Sequence, residues 1–266
     1  MQLIMLGTGH AGVLSCYNTC FILKDENACF LVDTGGGNGL LKQLQAVDIS
    51  INQIHDVFVT HKHTDHITGI VWLLRMVIQG MKRGQYEGDL CLYGHEEVIR
   101  IIYTIATMMF DIDQKPHILK RLHFITVQDK ESKDILHKEV TFFDIQSTKA
   151  KQFGFTMQLN ETDRLTCLGD EPYHECEAIY VQDSKWLLHE AFCLYEEKDI
   201  YHPYEIDHST VKDACELAQR MGVENLVLYH TEESHLKDRK RLYTQEGRPY
   251  FNGRLYVPDD LDILSL

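Results

Sequence analysis

Residues 57–70, VFVTHKHTDHITGI, hold three histidines and an aspartate within six positions: His61, His63, Asp65 and His66. In an extended backbone, residues two apart face the same way, so His61 and His63 can meet one cation together. Asp65 and His66 follow where the chain turns toward a helix, and they approach from another side. Imidazole nitrogen and carboxylate oxygen suit zinc and its neighbours. A solvated loop that happens to be histidine-rich is the bland alternative. The ordered pattern, with a strand-like run before it and a helix-spaced run after it, favours a metal site.

Further ligands must come from other strand ends. LTCLGD ends in Asp170, where a carboxylate can bridge two ions, although a Gly-Asp pair alone is usually a turn. NLVLYH ends in His230. WLLHEAF places His189 and Glu190 at another strand end, and IDHST places His208 before a capped helix. A carboxylate beside a histidine orients it and holds it protonated, which makes a general acid; two surface neighbours are the bland reading. His10 of LGTGHAG is either a substrate contact or a turn residue. TGGGNG lacks the Walker lysine and the spaced glycines of a dinucleotide fingerprint, so it reads as a tight turn near the metals. No serine sits in a GxSxG setting.

The elements that must carry these residues alternate along the chain. LIMLG, CFILK, ACFLVD, HDVFVT, DLCLYG, HFITV, EVTFFDI, FGFTMQL, DRLTCLGD, WLLHEAF and NLVLYH read as strands. LLKQLQAV, ITGIVWLLRMVIQGMK, EEVIRIIYTIATMMF and STVKDACELAQRMG read as helices. The last is capped by Ser209 or Thr210, with Asp213 completing a capping box and Gly222 ending it. Many strands with few helices suggest two sheets covered by helices. No linker interrupts the 266 residues, so one domain is expected over 1–266, with a short extension from about 236 to 266.

Composition narrows the setting. With 44% hydrophobic and 25% charged residues, the chain is an ordinary globular one. No stretch approaches the roughly 18 apolar residues that span a bilayer, and the start resembles a strand and turn, not a signal peptide. Eight scattered cysteines without a CxxC pair predict reduced thiols and a cytoplasmic protein. A net charge of −14 argues against a chain-wide nucleic-acid binder.

The order LGTGHAG, VDTGGG, THKHTDH, LGD, HEAF, HST, LYH resembles the metallo-β-lactamase fold, and most closely its ribonuclease Z-like branch. The likeness runs from residue 1 to about residue 235. It implies an α/β fold: a four-layer αβ/βα sandwich, two mixed sheets covered by helices, with a dinuclear metal site at one edge. It further implies that His61 and His63 hold one ion, that Asp65, His66 and His230 hold the second, and that Asp170 bridges. The expected cofactor is zinc, one or two ions, with manganese or iron as alternatives. A metal-bound hydroxide attacks phosphorus, Asp65 orients or deprotonates that water, and His208, positioned by Glu190, protonates the leaving oxygen. Homodimers are common in the branch, so a dimer is expected.

Three departures qualify this. The family pattern has one more histidine on the first ion, and none lies between His137 and His174. Gln146 stands about there, with Ser147 or Thr148 as alternative alignments, or His95 completing the site from a distance. An amide oxygen is a weaker zinc ligand than imidazole. The glycine-rich basic arm that grips tRNA is missing: the interval before Asp170 includes NETDR and no basic cluster. In the tail, DRKRLY is the best basic run, read as a solvated helix face or as a phosphate or dimer contact. The tyrosine-rich LYEEKDIYHPYEID, 194–207, is a surface loop or a lid.

The leading expectation is a metal-dependent phosphodiesterase acting on a small molecule or an RNA end, away from membranes. The alternatives are a tRNA 3′-processing endoribonuclease, and a catalytically impaired metal-binding protein.

Overall fold

The apolar runs that read as strands fold as strands in the computed structural model, which describes residues 1–266. In chain order they are β1 (Gln2–Gly7), β2 (Cys20–Asp25), β3 (Ala28–Val32), β4 (Ile54–Phe58), β5 (Leu90–Gly94), β6 (Leu122–Thr126) and β7 (Ser132–Ile135). Then follow β8 (Lys138–Asp144), β9 (Phe153–Gln158), β10 (Arg164–Cys167), β11 (Trp186–Glu190), β12 (Asn225–Tyr229), β13 (Arg254–Tyr256) and β14 (Ile263–Ser265). Sequence periodicity misses β7, whose only apolar residue is Ile135, and β13 and β14, where three residues are too few for a pattern to show.

The chain divides into two compact units. The first comprises Met1–Gly7, Tyr17–Val127 and Asp260–Leu266. Its sheet has seven strands in the order β14-β1-β2-β3-β4-β5-β6. From β3 to β6 the neighbours are parallel, so the carboxyl ends of these strands share one edge. That edge is where ligands gather in parallel sheets. The helix Ile70–Arg83 buries Ile70, Leu73, Leu74, Val77, Ile78 and Met81, the three-and-four spacing of an amphipathic helix. Its last turn carries Lys82 and Arg83 and ends at Gly84, whose φ of 66° is the left-handed cap that glycine adopts without strain. Truncating Leu73 to alanine in this core would cost about 2–5 kcal/mol.

The second unit comprises Thr8–Cys16 and Gln128–Asp259, with a seven-stranded sheet in the order β13-β12-β11-β10-β9-β8-β7. Here β10, β11, β12 and β13 run parallel and β7 to β10 antiparallel. The helix Val211–Arg220 buries Val211, Ala214, Cys215, Leu217 and Ala218 in this unit's core. Of the two predicted caps, Thr210 is the one used: it forms a capping box with Asp213. The chain end that reads as an extension supplies an edge strand to each sheet, β13 on β12 and β14 on β1. Two mixed sheets with helices are what the sequence leads one to expect.

In DRKRLY, Lys240 and Arg241 are exposed as a solvated face requires, and Arg239 departs from that reading. Arg239 opens the helix Arg239–Gly247 and is only 1% exposed. It donates to Thr231 Oγ1 (2.6 Å), Thr8 Oγ1 (3.0 Å), the Pro258 carbonyl (2.8 Å) and Asp259 (3.1 Å). A buried guanidinium is stable only with such partners. The stretch 194–207 forms short helical turns, Tyr195–Glu197, Lys198–Tyr201 and Pro203–Ile206. No helix is long and apolar enough to cross a membrane, and all eight cysteines are free.

Candidate metal centre

In the first unit, β4 ends at Phe58 and the histidine loop follows. His63 is still extended (φ −61°, ψ 149°) and precedes a helical turn, Thr64–Ile67. His63 therefore lies on extended backbone, and Asp65 and His66 on the first turn of a helix. The His61 ring lies 4.4 Å from His63 and 4.2 Å from His66, centroid to centroid. Asp65 Oδ2 lies 3.2 Å from His66 Nε2. His61, Asp65 and His66 are buried.

What holds these rings comes from β3. Asp33 Oδ2 is 2.7 Å from His66 Nδ1. A carboxylate only accepts, so His66 carries its proton on Nδ1 and its lone pair on Nε2. Asp33 also accepts from Thr60 N–H (2.8 Å) and from Thr60 Oγ1 (2.9 and 3.1 Å). That hydroxyl has one proton and gives it to Asp33. At 3.0 Å from His61 Nδ1 it must therefore accept, which puts the His61 lone pair on Nε2 as well. One carboxylate thus sets two tautomers, the outer-shell arrangement that metal-ligating histidines use. The donor set fits a divalent metal.

The TGGGNG turn packs on this loop, as its reading as a tight turn requires. Thr34 donates to the His66 carbonyl from N–H and from Oγ1, both at 2.8 Å. Gly69 N–H donates to the Gly35 carbonyl at 2.9 Å, and a Cβ on Gly69 would overlap the Thr34 carbonyl. His95 is buried at the end of β5, before the helix Glu96–Phe110.

In the second unit the parallel register brings three strand ends together. Leu188 of β11 lies beside Cys167 of β10, and Glu190 lies beside Tyr229 of β12. Asp170 follows Gly169, a glycine with φ 86° whose carbonyl accepts the Tyr229 hydroxyl. Asp170 Oδ2 lies 3.4 Å from His230 Nε2. Glu190, His208 and His230 each offer a ligand-type atom within 4.8 Å of the others. His10 hydrogen-bonds through its backbone to Thr231, and its ring lies 6.4 Å from that of His230.

Glu190 and His208, paired in the sequence reading, meet here. Glu190 is fully buried at the end of β11. Its Oε1 accepts Ser209 N–H and Ser209 Oγ, both at 2.5 Å, and its Oε2 lies 3.6 Å from His208 Nδ1. Phe192 stacks on the His208 ring at 5.0 Å and 12°. Burial disfavours the imidazolium, but the Glu190 carboxylate outweighs it, so the His208 pKa stands above the ordinary histidine value. His189 points elsewhere, its Nδ1 at 2.6 Å from the Glu190 carbonyl. Sequence reasoning missed Ser209, taking it for a helix cap, and missed Asp33 and Thr60. The VDTGGG and THKHTDH strings contain the last two, but their pairing depends on strand register.

Around the absent histidine, Gln146 is exposed, with a left-handed backbone (φ 60°) and its N–H bonded to Asp144 at 2.9 Å. Ser147 donates to Glu171 (2.5 Å), Thr148 to Asp207 (3.2 Å), and Lys149 to the Ile206 and Asp207 carbonyls (2.9 and 3.1 Å). This loop is thereby fastened to the residues that lead into His208. The interval where the tRNA-gripping arm is absent is a hairpin between β9 and β10. Asn160 Oδ1 closes it, accepting the N–H groups of Thr162 and Asp163, both at 3.0 Å.

Comparison with known proteins places this geometry in a lineage. A family model described as "Anti-Pycsar protein Apyc1" matches residues 1–248. Ribonuclease Z of Thermococcus sibiricus is 26% identical over 313 aligned positions, spanning 100% of this chain and 96% of that protein. Ribonuclease Z of Listeria monocytogenes is 23% identical over 299, spanning 94% and 95%. Among solved structures, the metallo-beta-lactamase fold protein YhfI of Bacillus subtilis aligns with a TM-score of 0.79 at 16% identity, over 99% of this chain and 98% of that one. The short form of human tRNase Z aligns with a TM-score of 0.74 at 20% identity, over 100% and 99%. The fold is the metallo-β-lactamase fold, and the chain is ribonuclease Z-like.

Proposed function

The chain belongs to the anti-Pycsar protein Apyc1 family and is a metal-dependent hydrolase, and from that premise we propose that it hydrolyses a small phosphodiester. Supporting this, the order of motifs assigns His61, His63, Asp65, His66, Asp170 and His230 to one dinuclear centre. Zinc suits this set best, with manganese or iron as alternatives. When bound, such ions supply an activated water at neutral pH and offset charge on the phosphoryl oxygens.

The protein's own part is positioning and proton transfer. Asp33 and Thr60 keep the Nε2 lone pairs of His66 and His61 available. Asp65 orients the attacking water. Glu190, held by Ser209, keeps His208 protonated, and His208 gives its Nε2 proton to the leaving alkoxide. The Glu190–His208 pair is the observation that carries the reading, because a binding module has no use for a buried proton donor. With Ser147 and Thr148 engaged elsewhere, Gln146 stands as the replacement ligand, and its loose hold suits an exchangeable first ion.

The closed Asn160–Asp163 turn supports a small substrate over tRNA, as does the net charge of −14. The 313 positions aligned with the Thermococcus protein exceed the 266 residues here, so that relative carries segments this chain lacks. A paired assay decides: hydrolysis of a chromogenic phosphodiester set against cleavage of a pre-tRNA, with metal content measured. Turnover of the small ester alone supports the proposal. Cleavage at the discriminator base supports the endoribonuclease, and silence with every divalent ion tried would sink both.

We assign the protein to the cytoplasm on its free cysteines, and to a homodimer. Exposed Trp72 and Met76 on one helix, and Tyr103, Met108 and Met109 on another, support self-association. Light scattering that gives the monomer mass would reject the dimer.

A further inference from the structure

A second group of ligand-type side chains stands in the second unit, apart from Asp170, His208 and His230. Glu197 ends the turn Tyr195–Glu197, and Glu232 and His235 lie in the segment that leaves β12. Each offers one donor atom, all within 4.8 Å of one another.

An ion pair explains part of this group. His235 Nε2 lies 2.7 Å from Glu197 Oε1. Tyr201 donates to Glu232 Oε2 at 3.3 Å, and Ser234 N–H donates to the same oxygen. Two oxygens remain. Glu197 Oε2 and Glu232 Oε1 are shut from solvent and accept no hydrogen bond. Glu232 as a residue is only 3% exposed. Burying a carboxylate oxygen unpaired is costly, and two carboxylates beside one imidazole leave surplus negative charge even when the imidazole is protonated.

We propose that Glu197, Glu232 and His235 form an additional divalent-cation site. Two carboxylates and an imidazole are borderline-to-hard donors, which select zinc or manganese over soft ions. Ligand bonds near 2.1 Å in a tetrahedron put donors about 3.4 Å apart, so the side chains must readjust, His235 and Glu197 moving apart from 2.7 Å. Glu197 and His235 can supply that movement, with side chains 21% and 33% exposed. Their exposure also admits the ion and the waters that complete its shell. The bound ion clips the residues ahead of His208 to the segment behind His230. This site is independent of the phosphodiesterase reading, since it shares no ligand with it.

The test is a stoichiometry. Apo-protein made by chelation is titrated with Zn²⁺, and separately with Mn²⁺, against a chromogenic competitor. Wild type takes up one equivalent per chain more than the E232Q/H235Q variant. H61A/H63A, impaired at the other centre, retains that extra equivalent. Equal uptake by wild type and a folded E232Q/H235Q variant overturns the proposal and leaves a simple Glu197–His235 ion pair. If that variant does not fold, E197Q, at a ligand more exposed than Glu232, is read in its place, by circular dichroism and the same titration.

Discussion

The two units present their chemistry in opposite ways. The first concentrates it: His61, His63, Asp65 and His66 come from one loop, and one carboxylate, Asp33, fixes two of the rings. The second disperses it: Asp170, Glu190, His208 and His230 come from four separate segments, gathered by parallel register and, for His208, by the hydrogen bonds from Ser209 to Glu190. In the proposed reading the concentrated half is a ligand device, and the dispersed half adds a proton donor whose properties come from a buried neighbour.

Breaking each half separates these roles. His63→Ala abolishes turnover of a chromogenic phosphodiester and lowers bound metal, measured by elemental analysis; full metal content with full rate would refute its role. His208→Ala keeps its metal and slows kcat by about 10²–10⁴-fold, the usual range for a general acid. An unchanged kcat would end that assignment. Asp33→Asn costs about 10–100-fold in metal affinity or rate, since an amide nitrogen facing Nδ1 disturbs the tautomer; competition titration reads it.

The smallest effect is the most informative. With His208 as the proposed acid, rate falls as pH rises through its pKa. The Glu190 carboxylate holds that pKa above the ordinary histidine value despite burial. In Glu190→Gln the alkaline limb of the kcat profile therefore moves to lower pH. A limb that stays in place would show that another group titrates.

The same contrast explains what the sequence discloses. THKHTDH is legible because its chemistry is local: spacing alone tells which side chains meet. HEAF and HST leave an acid pair and two surface neighbours both open until family likeness favours the pair, since nothing local brings Glu190 to His208. Asp33, Thr60 and Ser209 are illegible as site residues, because short polar side chains near turns have many commoner uses. Arg239 is misread for a related reason: a basic run predicts solvent, and only the fold reveals four acceptors around one guanidinium. Strands such as β13 (RLY) and β14 (ILS) exist through their neighbours, not through any pattern of their own.

The hairpin closed by Asn160 also offers a handle for engineering. Exposed tips of this kind accept insertions, because few buried contacts depend on them. A chimera with a glycine-rich, lysine-bearing loop transplanted between Asn160 and Asp163 would leave the catalytic apparatus untouched. Acquired pre-tRNA cleavage by that chimera would mean that substrate choice in this lineage resides in a detachable appendage.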